Sequence, residues 1–141
     1  MDKTVIDRKL ESLRRCVQRV RDKRVDAADR LATDLDLQDV LVLNLSRAVQ
    51  VCVDIGAHFV ATQELSVPGT MGETFTRLAE AGVIDTGLAQ RLRRSVGFRN
   101  IAVHNYEAID WDIVKALTGE PLDDFDAFAR QVVVYLQRTS P

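Results

Sequence analysis

The chain holds only two cysteines, Cys16 and Cys52, in 141 residues, and they form no C-x-x-C pair. That excludes a disulfide scaffold and a thiolate zinc site, and it makes a reducing cytoplasm the expected location. Three prolines and seven glycines are too few for a collagen-like or low-complexity chain. Aromatic residues make up 6% of the total, too sparse for a platform that stacks the bases of a single strand. Neither sign of charge dominates: 19 Lys+Arg face 21 Asp+Glu, for a net of −2 and a pI near 5.7. A protein that holds nucleic acid by bulk charge is basic in total, so that mode is excluded. Long uninterrupted apolar runs are missing as well. The most apolar stretch, Val40 to Ala61, is broken by Arg47 and Asp54, so no membrane association is expected. The opening MDKTVIDRKLESLRRC scatters charge and has no apolar core of the kind a signal peptide needs.

What the sequence does have is helical spacing. Ile6, Leu10, Leu13, Val17 and Val20 step by four and three, which predicts one apolar stripe on a helix from about Thr4 to Ala28. Asp34 or Asp36 can cap a second long helix to about Glu64, striped by Leu37, Leu41, Leu45, Ala48, Cys52, Ile55 and Phe59. Ser66-Val67-Pro68-Gly69 is a break. Thr70 then opens a short helix, with Glu73 placed for a capping box and Gly82 as its stop. Asp85 opens the next, with Leu88, Leu92 and Val96 inward. Asp110 can cap a short helix through Ala116, and Gly119-Glu120-Pro121 interrupts. A last helix carries Leu122, Phe125, Phe128, Ala129, Val132 and Leu136. No segment alternates with period two. The predicted class is all-α: a helical bundle of two long antiparallel helices plus shorter ones, in a single domain over residues 1–141.

The near-neutral total hides an uneven distribution. Residues 86–106 hold four arginines, Arg91, Arg93, Arg94 and Arg99, and no acid. Such a stretch can bind an anion locally whatever the total charge. A solvated helix face is the plain alternative, so the arginines need chemistry beside them.

That chemistry is supplied by Arg99-Asn100-Ile101-Ala102-Val103-His104-Asn105-Tyr106, which reads R-x-x-x-x-H-x-Y. Singly, each residue has an ordinary explanation: His104 as a structural histidine, Asn105 as a left-handed helix terminus, Tyr106 as a core ring with its hydroxyl at the surface. Together they suit phosphate chemistry. Arginine matches phosphate oxygens in a fork. Histidine transfers protons near neutral pH. Tyrosine can hydrogen-bond a phosphate or stack on a base. At ~100° per residue, Arg99 and Tyr106 share a helix face while His104 points away from Arg99. Either the helix bends or ends near Val103–Asn105, or a second copy of the chain completes the site across a two-fold dimer. On the second long helix, Asp54 and His58 share a face. They suggest a carboxylate–imidazole pair or a polar contact at a dimer seam, and too few ligands for a metal site.

The RNIAVHNY block sits late in an all-α chain, behind LSRAVQVCVDIGAHFVA, GETFTRLAEAGVI and LRRSVGF and ahead of DWDIV. In this combination the chain resembles the HEPN superfamily, and within it the HepT group of ribonuclease toxins. The resemblance implies a homodimeric, metal-independent endoribonuclease without a cofactor. It implies a cognate minimal nucleotidyltransferase as antitoxin, in a type VII-like toxin–antitoxin pair, which silences the toxin by AMP transfer to Tyr106. Carried over residue by residue, Arg99 and His104 would be catalytic. Asn105, Tyr106 and Arg94 would bind RNA phosphate. The alternative is a module of the same fold that partners a nucleotidyltransferase without cleaving RNA.

Overall fold

The computed structural model describes residues 2–140, and the side chains of all of these but 25–29. The helices are α1 (Lys3–Arg30), α2 (Leu35–Thr62), α3 (Met71–Glu80), α4 (Thr86–His104), α5 (Trp111–Leu117) and α6 (Asp123–Thr139). Single 3-10 turns occupy Tyr106–Ala108 and Glu120–Leu122, and no strand occurs among the described residues. The all-α reading holds.

The starts of α2, α3, α4 and α5 are those the capping residues specify. Asp34, and not Asp36, caps α2 by accepting from the Leu37 N–H, while Asp36 rides in the first turn. At α3, Thr70 Oγ1 accepts from the Glu73 N–H at 3.2 Å. The Glu73 carboxylate, however, accepts from the Gly69 N–H at 2.7 Å rather than from that of Thr70. The expected capping box is thus displaced by one residue, because the chain turns sharply out of Pro68-Gly69. Gly82 ends α3 at φ +78, where the Val83 N–H reaches back to the Leu78 carbonyl at 2.9 Å. This left-handed stop favours glycine for want of a Cβ.

The two long helices fold back on each other across residues 31–34 and pack along their length. The α1 stripe of Ile6, Leu13, Val17 and Val20 is buried, with Leu10 half-buried. It meets Leu37, Leu41, Leu45, Ala48, Cys52, Ile55 and Phe59 of α2, all buried. Helix α2 also buries Val42, Val49, Val53 and Val60, beyond the expected stripe, because α3, α4 and α6 cover its other faces. Phe75 and Leu78 of α3, Leu88, Leu92 and Val96 of α4, Val114 of α5 and Phe125, Phe128, Val132 and Leu136 of α6 complete one continuous core. By length and composition α2 could cross a membrane, with a mean hydropathy of 1.5 over its most apolar window, yet 56% of that window is buried within the fold. Its apolarity is that of a central core helix. Both thiols are buried, and burial pushes that of Cys52 well up.

At Gly56, α2 lies tightly against α3. A Cβ there would collide with the Thr74 methyl and press on Leu78. The first turn of α6 is clamped to two helices: Asp123 and Asp126 pair with Arg21 of α1, and Asp124 pairs with Arg91 of α4 at 2.9 Å.

Candidate active site

Helix α4 positions the R-x-x-x-x-H-x-Y residues, and its first half anchors it. Asp85 caps it by accepting from the Leu88 N–H at 2.7 Å. Gln131 of α6 grips the same residue twice, accepting from the Asp85 N–H at 2.8 Å and donating to its carboxylate at 2.7 Å. These donors, Leu88 first and Gln131 second, hold the Asp85 carboxyl below its ordinary value.

The helix ends at His104, so of the two geometries left open for a single chain the terminated helix is the one adopted. Asn105 stops it at φ −150, ψ 62, with its N–H returned to the Ile101 carbonyl at 2.8 Å. This backbone is neither helical nor in the left-handed region in which Asn105 could have ended the helix. His104 thereby stands exposed in the last turn.

The four arginines do not form one wall. Arg91 is neutralised by Asp124 of α6. Arg93 lies over Gly72 and donates to Thr76 Oγ1 of α3 at 3.0 Å. Arg94 is exposed and lines a cavity of about 410 Å3 with Leu45, Phe98, Ile101, Ile109 and Ile113. Arg99 is half-buried and donates to Met71 Sδ of α3 at 3.7 Å and to Asn100 Oδ1 at 3.2 Å. Among the described residues only Arg91 of the four has a carboxylate partner, so Arg94 and Arg99 keep their charge uncompensated. The periodicity located the arginines but not the acids of α6, which reach α4 only through the fold.

Tyr106 leaves the helix and crosses to the start of α2. Its hydroxyl donates to Asp39 Oδ1 at 2.8 Å, and its ring meets that of Trp111 edge-on, with centroids 6.1 Å apart. Burial first, and then the Asp39 carboxylate that accepts its proton, push its pKa up to about 12. The expectation that Arg99 and Tyr106 share a helix face therefore fails, because the helix stops two residues short of Tyr106. Nor does any hydrogen bond or ion pair join Arg99 to His104 among the described residues. No local signal in the sequence points to Asp39, since it lies 67 residues from its partner.

On α2, Asp54 accepts from Gln50 at 2.8 Å and lies 3.9 Å from Lys9 Nζ. His58 Nε2 is buried without a partner among the described residues, so the carboxylate–imidazole pair does not form. No group of three or more His, Cys, Asp or Glu among the described residues is placed to hold a metal.

Comparison with known proteins gives the chain a family. The profile described as ribonuclease HepT-like matches residues 6–132. The mRNA nuclease HepT of Shewanella oneidensis is 36% identical over 124 residues, 88% of this chain and 92% of that protein. The tRNA nuclease HepT of Aphanizomenon flos-aquae is 24% identical over 136 residues, 96% of this chain and 92% of that one. Among solved structures, the tri-AMPylated Shewanella oneidensis HEPN toxin in complex with its MNT antitoxin superposes with a TM-score of 0.86 at 34% identity. The match covers 95% of this chain and 99% of the toxin. The chain belongs to the HepT-like family of HEPN ribonucleases.

Proposed function

We propose that this HepT-like chain is the toxin of a toxin–antitoxin pair, a metal-independent endoribonuclease that acts in the cytoplasm and is silenced by AMP transfer to Tyr106. The observation that carries the reading is the free end of α4. An exposed histidine terminates the helix, and Arg94 and Arg99 precede it without carboxylate partners among the described residues. In the reaction His104 accepts the proton of an RNA 2′-hydroxyl as that oxygen attacks the adjacent phosphorus, or protonates the leaving 5′-oxygen. Arg99 faces the charge that grows on the phosphorane oxygens. Asn105, Tyr106 and Arg94 hold the flanking phosphates.

Arg99 and His104 lie five residues apart, about 140° around a helix, and are not joined within one chain. A homodimer resolves this by setting His104 of one copy near Arg99 of the other. The apolar cavity beside Arg94, together with Ile101, Val103 and Ile113, each 43–53% exposed, supports such a face: exposed apolar patches of this kind mark association sites. The partner that silences the chain is a minimal nucleotidyltransferase, as it is for the Shewanella toxin bound to its MNT antitoxin.

The deciding experiment incubates the unmodified chain with RNA in EDTA. Cleavage that disappears in His104→Ala is the expected result, with an equilibrium sedimentation mass twice that of the chain. Intact RNA, with Tyr106 shown by mass to be unmodified, would overturn the nuclease reading in favour of a non-cleaving partner of the nucleotidyltransferase.

A further inference from the structure

The hydroxyl proposed to receive AMP is not free in this structure: it is already paired with a base. Tyr106 Oη donates to Asp39 Oδ1 at 2.8 Å, within the reach a general base needs. Two elements far apart in the chain create that contact. The 3-10 turn after α4 delivers the tyrosine, and the second turn of α2 delivers the acid. Trp111 packs edge-on against the ring and restricts its swing. Tyr106 is nonetheless 40% exposed, so the residue lies within reach of another protein.

We propose that Asp39 is the general base for nucleotide transfer to Tyr106. The inference rests on the reading of Tyr106 as the AMP acceptor. The co-reactant is a nucleoside triphosphate supplied by the nucleotidyltransferase. The Tyr106 oxygen attacks its α-phosphorus, the new O–P bond forms, and the bond from the α-phosphorus to the bridging oxygen breaks. Pyrophosphate leaves with that electron pair, and the phenol proton passes to the Asp39 carboxylate. The product is an AMP–tyrosine phosphodiester and a protonated Asp39, which returns its proton to solvent.

The chemistry requires such a base. A phenol is a weak nucleophile until its proton leaves. With Tyr106 held up near 12, only about one molecule in 10⁵ would be ionised at pH 7. A carboxylate already bonded to the proton removes it during attack, with no free phenolate formed. Because the O–H bond points at Asp39, the remaining lone pairs of the oxygen are left for the incoming phosphorus. Asp39 thus makes the acceptor chain a contributor to its own modification.

The test follows AMP addition by intact mass, with the complete chain, ATP, magnesium and the family's nucleotidyltransferase. Wild type, Asp39→Asn, Asp39→Glu and Tyr106→Phe are compared from pH 7 to pH 9, with melting curves as folding controls. Asp39 is exposed, so all four are expected to fold. Asp39→Asn is expected to slow addition at least ~100-fold at pH 7, in line with loss of a general base, and Asp39→Glu to recover most of the rate. The ratio of wild-type to Asp39→Asn rates cancels ionisations within the transferase. It is expected to fall about tenfold per pH unit, as deprotonation by solvent replaces the missing base.

Asp39→Asn modified at the wild-type rate would overturn the base role while leaving Tyr106 as acceptor. A slow Asp39→Asn whose rate ratio does not change with pH would also overturn it, since a merely structural contact gives that result. Wild type left unmodified, or Tyr106→Phe modified as fast as wild type, would overturn the acceptor reading and this inference with it.

Discussion

The two halves of α4 are built on opposite terms. From Asp85 to Val96 the helix has a side-chain cap, a double grip from Gln131, an ion pair to α6 and a buried face of Leu88, Leu92 and Val96. From Gly97 onward no residue of the helix is fully buried, Ile101 and Val103 are exposed, and the last turn ends on an exposed histidine. Helices of this length owe most of their stability to tertiary packing of one face. The packed half therefore supplies most of the rigidity, and the second half, touching the core only through half-buried Phe98 and Ala102, displays the chemistry. Sites built on a rigid element are held more accurately than sites on loops.

Substitutions in the two halves are expected to separate activity from stability. The largest effect is expected at His104: replacement by Ala should lower RNA cleavage by about 10²–10⁴-fold and leave unfolding within about 0.5 kcal/mol of wild type. A comparable loss of stability in this variant would erase the contrast. The converse is Leu92→Ala, which should cost about 2–5 kcal/mol in denaturant unfolding, while the fraction still folded cleaves RNA at the wild-type rate. A folded but inactive Leu92→Ala would show that the packed half also shapes the site.

Smaller effects sharpen the picture. Removing the cap with Asp85→Ala should cost about 1 kcal/mol at pH 7. The depressed pKa of Asp85 means that its contribution is present above the ordinary carboxylate value and is lost as pH falls through the lowered one. Unfolding at pH 7 and pH 3 should therefore show the gap between wild type and Asp85→Ala closing in acid. The smallest change is at Tyr106, whose raised pKa gives the opposite sign. That contribution is complete below the ordinary phenol value and is lost as pH rises through about 12. Asp39→Asn should bring the Tyr106 titration part of the way down, since burial, the larger cause, remains; tyrosinate absorbance reads the shift directly.

Much of the fold is legible in the sequence because its signals are local. Leu37, Leu41, Leu45, Ala48, Cys52, Ile55 and Phe59 could be assigned to one face from spacing alone, and Asp34, Thr70, Asp85 and Asp110 mark helix starts by chemistry that acts within three residues. The candidate site is legible only as a list of residues. Nothing local states that Arg91 is neutralised by Asp124, or that Arg93 turns to α3 while Arg94 faces a cavity. Asn105 was readable as a helix stop, but not in the conformation it adopts, at φ −150 and ψ 62. Asp54 and His58 share a face by spacing, yet Gln50 and Lys9 take up the carboxylate.

By itself the sequence determined the helices, their inward faces and the residues able to do phosphate chemistry. Each of these depends on spacing within a turn or two, and the helix period makes such spacing geometric. Only the tertiary structure decided which charges remain uncompensated and where the Tyr106 hydroxyl goes. Those outcomes depend on groups as far apart as Asp39 and Tyr106, brought together when the core closes around α2. Packing of apolar faces sets that closure, and the polar partners are whatever then falls within hydrogen-bond reach.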